Sequence, residues 1–230
     1  MILHINSEYT NNALYKSLIE NISISTKVPQ VIYAPIKKDN EIGINSIAIT
    51  NSENLYSKKL KSYHRFLYFN KMNYLVNDLV SKTNIFNIKF SHAYKLYSDG
   101  GVAYILQKKY AIPYLVTIRN SDINVFLKYM VHLKSFAREI LLKANGIVFI
   151  SPSYIDTIKR NFPDIFSKIQ NKIIVIPNGV DNFWHENTSK QNRKLSHPIR
   201  ILYAGRFDKN KNIENLIKTS QALGNNYILR

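Results

Sequence analysis

The sequence has no cysteine among its 230 residues. A disulfide framework, a cysteine metal site and a cysteine nucleophile are therefore excluded, and a reducing compartment is favoured. Glycine and proline are scarce, at 7 residues each, which excludes collagen-like and low-complexity chains. Hydrophobic residues make up 45% of the chain, so we expect an ordinary globular protein with a buried core.

Acidic residues are also few. The chain has 15 Asp and Glu against 32 Lys and Arg, a formal net charge of +17. This excess favours a polyanionic partner such as nucleic acid, an anionic membrane or a phosphorylated substrate. No segment approaches the roughly 18 consecutive apolar residues of a membrane span, and the N-terminal MILHINSEYT lacks the pattern of a signal peptide. We therefore predict a cytoplasmic protein that spans no membrane.

Short apolar runs alternate with amphipathic segments, which is typical of a parallel sheet with crossover helices, so the fold class is α/β. The predicted strands are residues 2–5, 30–33, 88–90, 114–118, 146–150, 173–176 and 199–204. The predicted helices are 11–22, a part of 58–81, 101–110, 124–144, 152–161 and 213–223. The polar run 186–198 has no periodicity and predicts a linker between a domain at 1–185 and the start of a second domain at 199–230.

A candidate phosphate site follows the strand near residue 200. Gly205 would let a ligand approach the backbone, and Arg206 offers a guanidinium fork that suits phosphate oxygens. Lys211 adds a charge before a helix whose first N–H groups Asn212 could cap. The pattern predicts a diphosphate site that needs no metal; the alternative is a basic surface loop, of which a chain with this charge has many.

A second constellation of polar residues follows the strands near residues 90 and 116. These positions lie beyond the carboxyl ends of parallel strands, where open α/β sheets place ligands. The alternatives are a structural histidine and a local ion pair that fixes the loop. A Ser-His-Asp order, paired carboxylates and a metal-ligand cluster are not apparent, which argues against hydrolases and metalloenzymes. The residues concerned are His92, Asp99, Gly100, Gly101, Thr117, Arg119 and Asp122.

The segment 58–82 interleaves lysines with tyrosines and phenylalanines. Basic residues alternating with aromatic ones suit a helix that lies on an anionic bilayer. The alternative is a solvated helix whose aromatic residues belong to the core. Both interpretations stay open from the sequence.

Four strings in succession resemble the retaining glycosyltransferases of family 4, which have the GT-B fold. They are SHAYKLYSDGGVAYILQKKYAIPYLVTIRNSDIN, ANGIVFISPSYIDTIKR, IIVIPNGVDNFW and IRILYAGRFDKNKNIENLI. The similarity runs from about Asn87 to the end of the chain and looks closest to bacterial members that build capsular or other surface polysaccharides. It implies two Rossmann-like domains, the N-terminal one for the acceptor and the C-terminal one for the nucleotide-sugar.

The resemblance also implies roles for individual residues. Gly205, Arg206 and Lys211 would bind the donor diphosphate and stabilise the leaving group. The candidate catalytic residues are His92, Arg119 and Asp122, and the candidate cleft loops contain Asp99, Gly100, Gly101, Asn178 and Gly179.

The sequence departs from the family pattern in three places. Arg119 stands where the family often has a histidine that reaches the donor sugar, and no glycine-rich loop follows the first strand. The acidic Glu-x7-Glu motif of the donor domain would lie beyond Arg230, so we expect the second domain to be only begun here and this chain to be inactive by itself.

The expected partners are a nucleotide-sugar donor and a lipid-linked or oligosaccharide acceptor, with an anionic membrane surface contacted through residues 58–82. No metal, other cofactor or nucleic acid is expected. The expected location is the cytoplasm, at the inner face of the membrane. Two alternatives remain: a non-catalytic basic α/β module that binds nucleic acid or membrane, and an inactive remnant of a glycosyltransferase.

Overall fold

The computed structural model describes residues 1–47, 51–180, 182–188, 197–205, 207 and 211–229. The chain forms two compact units, Met1–Gly179 and Val180–Arg230. The domain and linker boundaries predicted from the sequence remain predictions.

The first unit is built on a seven-stranded sheet in which every neighbouring pair is parallel. The strand order is β3-β2-β1-β4-β5-β6-β7, the Rossmann order extended by one strand. This confirms the predicted α/β class and Rossmann-like architecture. The strands are β1 Ile2–Ile5, β2 Gln30–Ala34, β3 Ser52–Tyr56, β4 Phe90–Ala93, β5 Tyr114–Ile118, β6 Gly146–Phe149 and β7 Ile173–Val175.

Helices connect most of these parallel strands, whereas the described part of the connection from β2 to β3 contains a 3₁₀ turn at Asp39–Glu41. The helices are α1 Leu14–Thr26, α2 Tyr68–Lys82, α3 Gly100–Tyr110, α4 Leu127–Tyr129, α5 Lys134–Lys143, α6 Ser153–Asn161 and α7 Pro163–Ile169.

Apolar side chains cover both faces of the sheet. In β2, Val31 and Tyr33 belong to the larger core with α2, α3 and α5, whereas Ile32 and Ala34 belong to a smaller core with α1. Successive side chains of a strand point to opposite faces, so the two cores lie on opposite sides of the sheet. All five residues of β2 are buried, as expected for a strand covered on both faces.

The sequence does not reveal β3. Its residues SENLY are mostly polar because β3 is an edge strand that pairs only with β2. The Asn54 amide group donates to the Ile47 carbonyl over 2.8 Å, which holds the preceding loop against the strand. Only Leu55 packs on the larger core, and that is too little to give an apolar pattern.

The single helix predicted at 124–144 is wrong. A π-helical turn at Asp122–Phe126 leads into α4. The helical conformation ends at Met130, which has φ −109° and ψ 57°, and α5 begins at Lys134. The physical reason is the phase of the apolar residues. Leu127 and Leu133 are both buried, yet on one continuous helix six residues would place them about 120° apart. The break lets both side chains turn inward.

The strand predicted at 88–90 begins two residues later, because Ile85–Asn87 forms a 3₁₀ turn. The Asn84 side chain accepts a hydrogen bond from the Phe86 N–H over 3.2 Å and caps this turn. Ile88 is buried, but its N–H donates to the Ile85 carbonyl and not to a neighbouring strand.

The second unit contains helix α8 at Asn182–Glu186, strand β8 at Ile199–Ile201, helix α9 at Ile213–Ala222 and strand β9 at Tyr227–Leu229. Strands β8 and β9 pair in parallel, so β8, α9 and β9 form one β-α-β unit. None of the described residues in this unit is buried.

Candidate functional site

Polar side chains gather where β1, β4, β5 and β7 end. Parallel strands place their carboxyl ends at one edge of the sheet, which is the usual ligand side of this architecture. We refer to four residues there, His92, Asp99, Arg119 and Asp122, as the strand-edge cluster. The structure assigns each of them protein contacts.

His92 lies in β4 and pairs in register with His4 of β1. Its Nε2 is 2.8 Å from the Thr117 hydroxyl oxygen, and its ring stacks on Tyr94 with centroids 4.0 Å apart. Burial, followed by the charges of His4 and Arg119, holds the pKa of His92 well below its ordinary value. The imidazole is therefore neutral at pH 7, and its catalytic role remains a prediction.

His4 continues this polar network through the sheet and was missed from the sequence. Its Nδ1 is 3.0 Å from the Tyr94 hydroxyl, and its Nε2 is 2.6 Å from Gln30 Oε1. Burial lowers the pKa of His4 to about 4, partly opposed by the bond to Gln30. A histidine inside the apolar run ILHI was the available signal, because a buried polar side chain requires partners.

Asp122 is fully buried and holds the loop after β5. Its Oδ2 accepts from the Arg119 N–H over 3.0 Å, and its Oδ1 accepts from the Tyr97 N–H over 3.4 Å. Burial raises the pKa of Asp122 to about 6, while the backbone donors oppose the rise. The carboxylate thus ties the β4 loop to the β5 loop; its proposed catalytic role stays a prediction.

Arg119 is partly exposed, and its guanidinium group is fixed from three sides. Nε donates to the Tyr94 carbonyl over 3.2 Å, Nη1 donates to Asn178 Oδ1 over 3.3 Å, and the group lies 4.8 Å from the Tyr15 ring centroid. The structure therefore brings together two of the predicted site residues, Arg119 and Asn178. Gly179 follows in open space, since a Cβ there would have no atom of the described residues within 4 Å.

Asp99 ends the β4 loop and precedes α3. It is fully buried and accepts from the Ser7 N–H over 3.1 Å, which joins the β1 and β4 loops. Burial raises the pKa of Asp99 to about 6, opposed chiefly by Lys95. Lys95 itself forms an ion pair with Glu8.

Gly100 and Gly101 are packing positions in the first turn of α3. A Cβ on Gly101 would lie 2.5 Å from the Tyr68 hydroxyl oxygen and 2.6 Å from Met72 Sδ. A Cβ on Gly100 would lie 3.2 Å from the Lys95 carbonyl oxygen. The two glycines let α2 and the β4 loop approach α3 closely.

The candidate diphosphate site belongs to the second unit. Arg206 lies outside the described residues. Gly205 follows β8, and a Cβ there would lie 2.6 Å from the Tyr203 hydroxyl oxygen. Lys211 precedes α9; Asn212 has φ 52° and its side chain does not cap the helix, so the predicted cap is wrong.

A basic pocket with a volume of about 990 Å³ opens in the first unit, at the edge of the sheet where the strands have their carboxyl ends. We call it the lysine pocket. The basic aromatic segment 58–82 supplies Lys61 and Lys71, and the loops after β2 and β5 contribute further lining residues that the sequence did not indicate. The pocket is lined by Lys37, Lys38, Leu60, Lys61, Ser62, His64, Phe66, Tyr68, Lys71, Ser98, Phe126, Met130, His132 and Leu133.

No protein-family model and no curated protein matches the chain. Solved structures are similar to it. A sucrose-phosphate synthase from Thermosynechococcus elongatus has a TM-score of 0.53 and 11% identity, over 79% of this chain and 90% of that chain. UGT2 of Phytolacca americana, complexed with UDP-2fluoro-glucose and pterostilbene, has a TM-score of 0.51 and 10% identity, over 100% of this chain and 70% of that one.

The apo form of UGT2 gives a TM-score of 0.52 and 10% identity, over 92% of this chain; this chain spans 59% of that structure. Both similar proteins are glycosyltransferases. The chain has their GT-B-like fold. At these identities the similarity establishes the fold alone. Among the described residues, no helix is long and apolar enough to cross a membrane.

Proposed function

We propose that the chain belongs to a retaining glycosyltransferase of family 4. It would transfer a sugar from a nucleotide-sugar to a lipid-linked or oligosaccharide acceptor in bacterial surface polysaccharide synthesis, at the inner face of the cytoplasmic membrane. The observation that carries the proposal is the similarity of the fold to solved glycosyltransferases, one of which holds a UDP-sugar analogue and an acceptor. The motif order in the sequence supports the choice of family.

The donor diphosphate would bind where β8 leads into α9. Gly205 leaves the backbone accessible, and Arg206 and Lys211 supply positive charge. The first N–H groups of α9 lie at the N-terminus of that helix, next to Lys211 in sequence. Charge of this kind stabilises the departing nucleoside diphosphate most strongly in the transition state, so no metal is required.

Arg119 would contact the donor sugar in place of the family histidine. Its guanidinium is held by the Tyr94 carbonyl and by Asn178, which limits its freedom and favours a fixed orientation. Asp122 acts on Arg119 as a positioning residue, because its carboxylate accepts from the Arg119 backbone N–H. His92 supports Tyr94 by stacking on its ring.

Transfer is tested with the full product of the reading frame that contains this chain. Labelled sugar from a panel of nucleotide-sugars should appear in a lipid or oligosaccharide acceptor. Arg206→Ala and Lys211→Ala should each lower kcat by about 100-fold, because each removes a charge at the leaving group. Lys218→Ala, on an exposed part of α9, is the matched control and should leave kcat unchanged.

The anomeric configuration of the product, read by NMR, tests the retaining mechanism; inversion would refute it. If no nucleotide-sugar supports transfer while the protein binds nucleic acid tightly and in a salt-dependent manner, the non-catalytic alternative is correct.

A further inference from the structure

The lysine pocket concentrates positive charge on its lining. Its described lining contains four lysines, two histidines and no aspartate or glutamate. The lysines come from three separate segments: the loop after β2, the loop before α2, and the first turn of α2. Because distant segments converge here, the charge is a product of the fold and not of one basic run.

The ion pairs of the described chain do not use these lysines. They employ Lys16, Lys59, Lys82, Lys95 and Arg138 as cations, and none of these lines the pocket. Burial lowers the pKa of Lys71; Asp99 opposes this, and the charges of Lys37 and Lys95 lower it further. The cations therefore repel one another, Asp99 offsets part of this repulsion, and an anion in the pocket would relieve more of it.

His64 adds a hydrogen-bond donor. Its Nδ1 accepts from the Lys61 N–H over 3.1 Å, which leaves the proton of the neutral ring on Nε2. His64 is buried, and within the described part of the chain its Nε2 has no hydrogen-bond partner. Burial and the charges of Lys71 and Lys61 lower the pKa of His64, so the ring stays neutral at pH 7. The Nε2 atom is itself buried, so this donor lies inside the wall of the pocket and is not open to a ligand.

The remaining lining is apolar. Leu60, Phe126, Met130 and Leu133 line the pocket beside the lysines. Phe66 also lines it, although 83% of the residue is exposed. Inorganic phosphate alone would leave these side chains and most of the 990 Å³ without contacts. The lining matches a ligand with an anionic head and an apolar body.

We propose that the lysine pocket binds a phosphorylated amphiphile, an organic mono- or diphosphate whose phosphate oxygens contact Lys61 and Lys71. If the proposed transferase function is correct, this ligand is the acceptor. The binding itself does not depend on that function. Lys37 and Lys38 add to the attraction from the loop after β2. The apolar residues contact the chain of the ligand.

Binding is measured by calorimetry on the intact 230-residue chain, without a nucleotide-sugar, using farnesyl phosphate as the probe. Farnesol lacks the phosphate and inorganic phosphate lacks the chain, so both should bind at least about 10-fold more weakly. K61Q/K71Q should weaken farnesyl phosphate by about 10-fold or more. K108Q/K109Q removes the same charge from exposed positions in the last turn of α3 and should keep the parent affinity.

Vesicles separate a lipid source from a free phosphate ester. If the ligand is presented by a bilayer, phosphatidylcholine vesicles with a long-chain prenyl phosphate should bind the chain more tightly than vesicles with equal charge from phosphatidylserine. Tight binding of soluble farnesyl phosphate without this preference assigns the pocket to a free ester.

Equal affinity of the parent and K61Q/K71Q, with matching thermal melts, would overturn the proposal, as would equal binding of farnesol and farnesyl phosphate. Transfer to an uncharged oligosaccharide by a protein that ignores farnesyl phosphate would sink this inference while leaving the proposed function intact. Binding of farnesyl phosphate without any sugar transfer would support this inference and contradict the proposed function.

Discussion

The strand-edge cluster and the lysine pocket lie at the same edge of the same sheet, yet their charged groups differ in the contacts that they make with the rest of the protein. In the strand-edge cluster, Asp122 accepts from two backbone N–H groups and Arg119 is held by a carbonyl, an amide oxygen and a ring. In the lysine pocket, the described contacts include no ion pair to a lining lysine. Each region has a buried atom without a hydrogen-bond partner among the described residues, Asp99 Oδ2 in the strand-edge cluster and His64 Nε2 in the lysine pocket.

This difference distinguishes side chains that stabilise the fold from side chains that are available to a ligand. Buried polar groups that satisfy one another hold loops in place, and their loss costs stability. Lysines without an ion pair contribute little to stability, so their arrangement is better explained by a ligand. Variants in the strand-edge cluster should therefore lower the free energy of unfolding, whereas variants of the pocket lysines should leave it nearly unchanged.

Asp122→Ala should have the largest effect on stability. The change leaves the buried N–H groups of Arg119 and Tyr97 without an acceptor, which should lower the free energy of unfolding by about 3 kcal/mol. Urea unfolding followed by circular dichroism measures the loss. Asp122→Asn keeps one acceptor oxygen and should lose less, whereas exposed Asp156→Ala should change little. Equal stability of all three would mean that Asp122 does not hold the loops.

Gly101→Ala should affect both regions at once. The new Cβ would fall 2.5 Å from the Tyr68 hydroxyl oxygen, so α2, which also carries Lys71, must shift away from α3. Such overpacking should lower the free energy of unfolding by about 1–3 kcal/mol. The same variant should bind farnesyl phosphate more weakly because Tyr68 and Lys71 both line the lysine pocket. Adding Tyr68→Phe removes the clashing oxygen and should recover part of the stability; no recovery would place the clash elsewhere.

Much of the first unit could be predicted because its signals are local. Strands β1 and β5 have the predicted bounds, since continuous apolar runs such as YLVTI mark strands buried on both faces. The edge strand β3 and the break at Met130 could not be predicted in this way. The first depends on pairing with a distant strand, and the second depends on Leu127 and Leu133 both reaching the larger core.

The candidate site was predictable in position but not in contacts. Strand ends identified His92, Asp99, Arg119 and Asp122, because that edge is where α/β sheets bind ligands. Their hydrogen bonds could not be inferred, since the partners lie on other loops. The lysine pocket was visible only in part because Lys37 is 34 residues from Lys71 in sequence and only the fold brings both to one cavity.

The pH dependence of stability should expose the buried network. The pKa of His4 falls from 6.5 to about 4 on folding, so stability from neutral His4 is lost as the pH drops through that range. The pKa of Asp99 rises from 3.8 to about 6, so this carboxyl stabilises the fold as the pH drops from about 6. His92 acts in the same direction as His4, and Asp122 in the same direction as Asp99.

These opposing groups can be separated by urea unfolding at pH values of about 6.5, 5.5 and 4.5. Asp99→Asn should make the free energy of unfolding fall more steeply as the pH drops, by up to about 1.4 kcal/mol per pH unit. The reason is that the folded protein then no longer takes up the proton that binds to Asp99. His4→Gln should make the fall shallower by a similar amount. Slopes that change in the same direction for both variants would contradict the assignment.

Two lysines on α2 give the smallest and most selective test. Lys82 forms an ion pair of 3.1 Å with buried Asp78, so Lys82→Gln leaves that carboxylate without its cation and should lower the free energy of unfolding by about 1–2 kcal/mol. Lys71→Gln removes a charge that burial disfavours, Asp99 attracts, and Lys37 and Lys95 repel. Because these effects oppose one another, the free energy of unfolding should stay within about 0.5 kcal/mol of the parent. Parallel urea titrations compare the two; a larger loss for Lys71→Gln would assign the pocket lysine to the architecture and not to a ligand.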